Sequence, residues 1–305
     1  MGKIAFVFSG QGDQHTGMGR SLAERYPAAA QVFSACDRLR AGTSAQCFAG
    51  SEEELKETKN TQPCLFAYEL ALAAVLEEKG IRADLTAGFS LGEVAALTYA
   101  GTVSLDTGFS LVCRRGELMQ AAAEEFPASM AAVVKLPAEE VSRIAAEFDR
   151  VYPVNFNSPG QVSVAGVESS MPDFCNAVKQ AGGRAIPLKV KGGFHSPFMS
   201  GASERFRETL GATVFTAPRI PLYSDVTARP YEGDFAGLLA EQICSPVLWE
   251  TLVRNMIAAG ADTFVEIGPG RTLCGLIARI DPTVRVLAGG ELEQSETILD
   301  EVKLC

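Results

Sequence analysis

Gly88-Phe89-Ser90-Leu91-Gly92 constrains this chain more than any other stretch. An apolar strand pattern (Ala83 to Ala87) precedes it and a helix-forming run (Glu93 to Ala100) follows. A strand that turns sharply into a helix lifts the central serine hydroxyl clear of the backbone. It also sets that hydroxyl at a helix N-terminus, where unpaired N–H groups can stabilise an oxyanion. So tight a turn leaves no room for side chains at its two glycines. The motif alone is also compatible with a surface turn that contains serine, so its strand–turn–helix context carries the weight.

The chain has 305 residues, of which 47% are hydrophobic, enough for one large domain or a large and a small one. Its formal charge is −10, without a run of Lys or Arg, which argues against nucleic acid or an anionic membrane as its partner. The apolar run from Leu65 to Leu76 is interrupted by Glu69 and is too short to span a bilayer. A strand pattern begins at Met1-Gly2-Lys3-Ile4, so no signal peptide is expected. The eight cysteines are scattered without C-x-x-C spacing and there are two histidines, which argues against a metal site. Those cysteines read as small buried hydrophobes in a reduced compartment, so the expected location is cytoplasmic.

Strand and helix patterns alternate at first. Lys3 to Ser9 reads as a strand, Gly10-Gln11-Gly12 as a turn, and a helix follows to about Cys36. Helical patterns cover Gln62 to Lys79 and Leu105 to Ala123. This alternation predicts a parallel α/β sheet. In the middle the order becomes β-α-β-β-α-β: Met130 to Lys135, Pro137 to Phe148, Val151 to Phe156, Val162 to Ala165, Met171 to Gln180 and Arg184 to Val190. That order predicts a ferredoxin-like unit over residues 127–195, inserted in a large domain of residues 1–126 and 196–305. Alternation resumes at Thr263 to Ile267, Arg271 to Ile280 and Val284 to Leu287.

A nucleophilic serine needs a base, and His15 and His195 are the two choices. His195 lies in the glycine-rich turn Gly192-Gly193-Phe194-His195-Ser196-Pro197, where the inserted unit rejoins the large one. A crevice between two such units is a common place for substrate. His15 sits in a polar turn that suits capping or solvation. His195 is the expected base.

Eight short segments, in order along nearly the whole chain, resemble the malonyl-CoA:acyl carrier protein transacylases, the acyltransferases of fatty acid and polyketide synthesis. They are Phe8-Ser9-Gly10-Gln11-Gly12 with Gly17-Met18-Gly19, Thr61-Gln62-Pro63 as a helix start, the serine turn itself, Arg115-Gly116 with Met119, Asn155-Phe156-Asn157-Ser158-Pro159-Gly160-Gln161, Phe194-His195-Ser196, Ser245-Pro246-Val247 and Glu266-Ile267-Gly268-Pro269-Gly270. The resemblance implies an α/β-hydrolase-like large domain. It also implies a malonyl ester on Ser90, with His195 as general base oriented by a main-chain carbonyl, from Leu248. The Gln11 and Leu91 N–H groups would form the oxyanion hole and Arg115 would hold the malonyl carboxylate. Phe89, Phe194, Gln62 and Asn157 would line the acyl pocket. Read without the resemblance, Arg115 is as much a surface helix arginine beside Arg114, and Gln62 and Asn157 suit capping and turn bonds.

The implied substrates are malonyl-CoA and the phosphopantetheine thiol of an acyl carrier protein, with no permanently bound cofactor and a monomeric enzyme. Two features depart from the family. Phe89 stands where it usually has histidine, and Gly192-Gly193 precedes Phe194-His195. The retained Phe194 would crowd an α-methyl branch, favouring malonyl. An editing acyl hydrolase of a polyketide pathway is the rival in the same fold, and Arg115 disfavours it. A nucleotide-dependent dehydrogenase fails because the third glycine of its fingerprint falls on His15. A non-catalytic module would need both Ser90 and His195 to be accidental. Arg184, Lys189 and Lys191 form the candidate basic patch for an acidic carrier protein.

Overall fold

A computed structural model describes residues 2–190 and 192–290. Lys191 of the expected basic patch and Cys305 lie outside the described residues. The elements run in chain order β1 (Lys3–Phe8), α1 (Arg20–Arg25), α2 (Pro27–Leu39), α3 (Thr43–Ala49), α4 (Glu52–Lys56), α5 (Thr58–Glu78), β2 (Leu85–Gly88), α6 (Gly92–Tyr99) and α7 (Leu105–Glu125). Next come β3 (Ala128–Val134), α8 (Ala138–Ala145), β4 (Val151–Ser158), β5 (Gln161–Val167), α9 (Met171–Gln180) and β6 (Arg184–Pro187). The chain continues through α10 (Ser200–Gly211), α11 (Phe235–Gln242), α12 (Trp249–Ala258), β7 (Ala261–Ile267), α13 (Thr272–Ile280) and β8 (Arg285–Ala288).

The first sheet is parallel throughout, in the order β2-β1-β7-β8. Side chains alternate across β1. Phe6 and Phe8 enter the core shared with α5 and α7, while Ala5 and Val7 face α12 and α13 around the fully buried Trp249. Each large apolar side chain so buried stabilises the fold by about 1.5–3 kcal/mol. The chain leaves β1 towards β2 on one side and comes back to β7 on the other, a switch in direction that opens a crevice at the carboxyl ends of these strands. The Gly10-Gln11-Gly12 turn and the serine turn both leave from that edge.

The expected β-α-β-β-α-β segment forms a second, antiparallel sheet in the order β4-β5-β3-β6, with α8 and α9 on one face. Two main-chain bonds tie it to the stretch before α12: Phe156 N–H to the Val247 carbonyl and Val247 N–H to the Val154 carbonyl, both 2.9 Å.

Several boundaries differ from expectation. The helix after Gly12 is two helices, because Pro27 cannot continue α1 and instead opens α2. Thr61-Gln62-Pro63 does not start a helix; α5 begins at Thr58 and carries Pro63 inside it. From Asn60 to Ala73 α5 is buried on every side, so it has no polar face to reveal its register. Helices α10, α11 and α12 have no counterpart in the sequence reading.

Both elbow glycines are sterically required. A Cβ on Gly88 would fall 1.9 Å from the Gly92 carbonyl carbon, and one on Gly92 would fall 2.4 Å from the Phe8 carbonyl oxygen. Neither neighbour is a side-chain tip that could swing aside. Gly92→Ala is therefore expected to destabilise by about 1–3 kcal/mol in chemical denaturation. Gly201→Ala, whose Cβ meets nothing within 4 Å, should be neutral or stabilise by up to about 1 kcal/mol. Equal midpoints for the two variants would mean that the elbow is not close-packed.

Candidate active site

Ser90 adopts φ 56°, a left-handed conformation that costs a non-glycine residue about 1–3 kcal/mol. Its backbone is held on both sides. The Ser90 N–H donates to Asp225 Oδ2 (2.7 Å), and the Ser90 carbonyl accepts from Gln242 Nε2 (2.7 Å). The strained turn puts Ser90 Oγ 2.8 Å from His195 Nε2 and 3.2 Å from an Arg115 terminal nitrogen.

His195 is also left-handed, at φ 60°, and is buried. Its Nδ1 lies 2.8 Å from the Gln242 carbonyl at the end of α11. A carbonyl can only accept, so Nδ1 carries the proton and Nε2 presents its lone pair to the Ser90 hydroxyl. This corrects the expectation for Leu248. The Leu248 carbonyl accepts from Leu252 N–H as α12 begins, and is committed to that helix. The carbonyl 2.8 Å from the ring thus belongs to Gln242, and the Ser245 main chain also acts on the ring. Burial, then the positive charge of Arg115, lowers the His195 pKa to about 4.

Arg115 is fully buried, at 0% exposure, whereas Arg114 is exposed and pairs with Glu117. Its guanidinium donates to Gln62 Oε1 (2.9 Å) and Gln242 Oε1 (2.6 Å). Burial lowers its pKa to about 10, a value at which it stays charged at neutrality, and the buried acids behind it, Glu93 foremost, act against that lowering. Gln62 links Arg115 to the Gln11 side chain, 3.1 Å away. A capping role for Gln62 is thereby replaced by a bridging one.

A cavity of about 350 Å³ opens above these groups between the two sheets. Phe89, Phe194 and Asn157 line it, whereas Gln62 lies beneath, against Arg115. The Phe89 ring stands edge-on to Trp249 with centroids 5.4 Å apart. Asn157 Nδ2 donates to Ser163 Oγ (3.1 Å), while its Oδ1 is buried without a partner. Among the described residues, the Gln11 and Leu91 N–H groups make no hydrogen bond. His15 is exposed and its ring contacts the Asp13 carbonyl (3.1 Å), with no bond to Ser90.

Residues 5–283 match the acyl transferase domain family. The chain belongs to this family. It is an acyltransferase, and near relatives span it from end to end. It is 37% identical over 311 residues to the malonyl CoA-acyl carrier protein transacylase of Bacillus subtilis, covering 99% of this chain and 98% of the relative. The crystal structure of the malonyl CoA-acyl carrier protein transacylase of Clostridium perfringens superposes with a TM-score of 0.94 at 31% identity, over 99% and 98% of the two chains. A malonyl-transacylase in complex with a type II polyketide synthase acyl-carrier protein superposes with a TM-score of 0.91 at 36% identity, over 94% and 95%.

Sequence reasoning did not reach four groups of this acyltransferase site: Gln242, Asp225, Glu93 and Tyr231. Glu93 follows the motif glycine directly, and a charged residue in the first turn of an otherwise apolar helix is a readable signal. Asp225 and Gln242 lie more than a hundred residues from Ser90, and nothing in the local sequence marks either. No helix among the described residues is long and apolar enough to cross a membrane.

Histidine-labelled NMR tests the imidazole directly. The His195 ring should titrate near pH 4, and a midpoint near 6.5 would show that neither burial nor Arg115 acts on it. The sign for stability follows: the unfolded chain takes up this proton near 6.5 and the folded one near 4. Acidification through that window therefore weakens the fold.

Proposed function

We propose that this acyltransferase moves a malonyl group from malonyl-CoA to the phosphopantetheine thiol of an acyl carrier protein, through an ester on Ser90. One observation carries the reading: a serine hydroxyl paired with a neutral imidazole lies 3.2 Å from a fully buried guanidinium. An acyl group that reaches Ser90 meets a fixed positive charge, which suits an acyl chain ending in a carboxylate. The transacylase names of the relatives support malonyl as that acyl group.

As Ser90 Oγ attacks the thioester carbonyl, its proton passes to His195 Nε2. The Gln11 and Leu91 N–H groups take the developing oxyanion. The C–S bond breaks, and the proton on Nε2 goes to the coenzyme A sulfur. In the second half-reaction Nε2 takes the proton of the carrier thiol, the sulfur attacks the Ser90 ester, and the hydroxyl is regenerated. The Gln242 carbonyl steadies the ring throughout. Phe89, Phe194, Gln62 and Asn157 shape the acyl pocket, and Phe194 disfavours an α-branch.

Residues 1–126 and 196–305 are read as an α/β-hydrolase-like domain and 127–195 as a ferredoxin-like insertion. The enzyme acts as a cytoplasmic monomer with no resident cofactor. Arg184 and Lys189, both exposed, remain the proposed docking charges for the carrier protein.

Ser90→Ala should abolish the acyl-enzyme, seen as loss of a mass increase of about 86 Da after incubation with malonyl-CoA. An adduct that survives in the alanine variant sinks the assignment. Arg115→Ala should lower kcat/KM for malonyl-CoA about 100-fold or more relative to acetyl-CoA, because a desolvated carboxylate loses its partner. Equal losses with both substrates would make Arg115 a structural residue.

A further inference from the structure

Behind Ser90, on the side away from the cavity, two carboxyl groups are buried with little around them to balance a double negative charge. Asp225 lies in the loop between α10 and α11, and Glu93 in the first turn of α6. Both have 0% exposure. They converge on one amide nitrogen, Gln242 Nε2, which lies 2.6 Å from Glu93 Oε2 and 3.3 Å from Asp225 Oδ2. The charged and titratable groups that face them are Arg115, from α7, and the Tyr231 hydroxyl, from the loop before α11. One guanidinium therefore stands against two acids.

Their hydrogen bonds differ. Both Glu93 oxygens accept bonds, one from the Tyr231 hydroxyl and one from Gln242. Asp225 Oδ2 accepts from the Ser90 N–H, but its Oδ1 is buried without a partner. An ionised carboxylate with one bare oxygen in a dry interior is costly, and the neutral form far less so. Two close buried carboxyls commonly share a single negative charge. Burial and the neighbouring Glu93 raise the Asp225 pKa well above the usual range; burial raises that of Glu93 too, with donors from Tyr231 and Gln242 acting against the rise.

We propose that Asp225 is a positioning residue that holds Ser90 in its left-handed turn as a neutral acid, with Glu93 carrying the one negative charge that faces Arg115. This rests on Ser90 being the nucleophile. The Ser90 N–H is thereby spent on the anchor, which leaves the oxyanion to Leu91 and Gln11. The anchor acts on the hydroxyl through the backbone, so its loss should not discriminate between acyl groups.

The test uses Asp225→Ala, Asp225→Asn and Glu93→Gln in the full chain, with malonyl-CoA and acetyl-CoA and a thermal midpoint for each variant. The alanine variant should lose kcat by at least about tenfold with both substrates while KM moves less than about threefold. Asparagine, which keeps an acceptor for the Ser90 N–H and resembles the protonated acid, should recover most of that loss. Glu93→Gln should cost more than Asp225→Asn. Infrared difference spectra of wild type against Asp225→Asn at neutral pH should show one carboxylic-acid C=O band lost. Mapping the adduct in the wild-type protein separates the two readings. An adduct elsewhere than Ser90 overturns the nucleophile. With the adduct on Ser90, a lack of rescue by asparagine, a reversed ranking or no lost band overturns the anchor.

Discussion

A guanidinium withdrawn from water sits at the base of the cleft, and the site is arranged around its charge. Arg115 cannot shed its proton at neutral pH, so its neighbours must supply oxygen atoms. Gln62, Gln242 and the Ser90 hydroxyl do so directly, and Glu93 and Asp225 lie behind them. The same charge helps to keep the His195 ring neutral. Removing the arginine would thus alter the base, and under the proposed function the binding of the acyl group as well.

Gln242 is the joint through which these demands are reconciled. Its carbonyl orients His195, its amide oxygen meets Arg115, and its amide nitrogen reaches both Ser90 and Glu93. It occupies the last position of α11, where a helix leaves carbonyls without partners. The orienting acceptor for the histidine is therefore a by-product of ending a helix there. In this arrangement a neutral carbonyl takes the place that an acid holds in a Ser-His-Asp triad.

What could be read from the sequence follows physical lines. The elbow was legible because a strand, two glycines and a helix leave a local pattern, and β1 was legible from its apolar run. The second sheet followed from strand and helix order. Ser90 and His195 stood out because their chemistry is scarce in context, whereas Arg115 came from the family resemblance alone, since an arginine beside Arg114 on a helix is locally ordinary. Gln242 and Asp225 were invisible, since a glutamine at a helix end and an aspartate in a turn are ordinary locally and become special only through long-range packing. The choice of Leu248 failed for a similar reason: which carbonyl faces a ring depends on where α11 ends and α12 begins, and neither helix showed itself in the sequence. Helix α5 was misplaced at its start because burial on every side erased its periodicity.

The two main-chain bonds between β4 and Val247 bear on how the cleft can move. A swing of the small sheet away from the large one would have to break both, and the next residues lead straight to Leu248 and the buried Trp249. The sheets are stitched where a hinge would otherwise lie. Relative motion of the two walls is therefore resisted at this edge, where it would forfeit both bonds, about 1 kcal/mol each. The cleft is a space whose walls are already joined before anything occupies it.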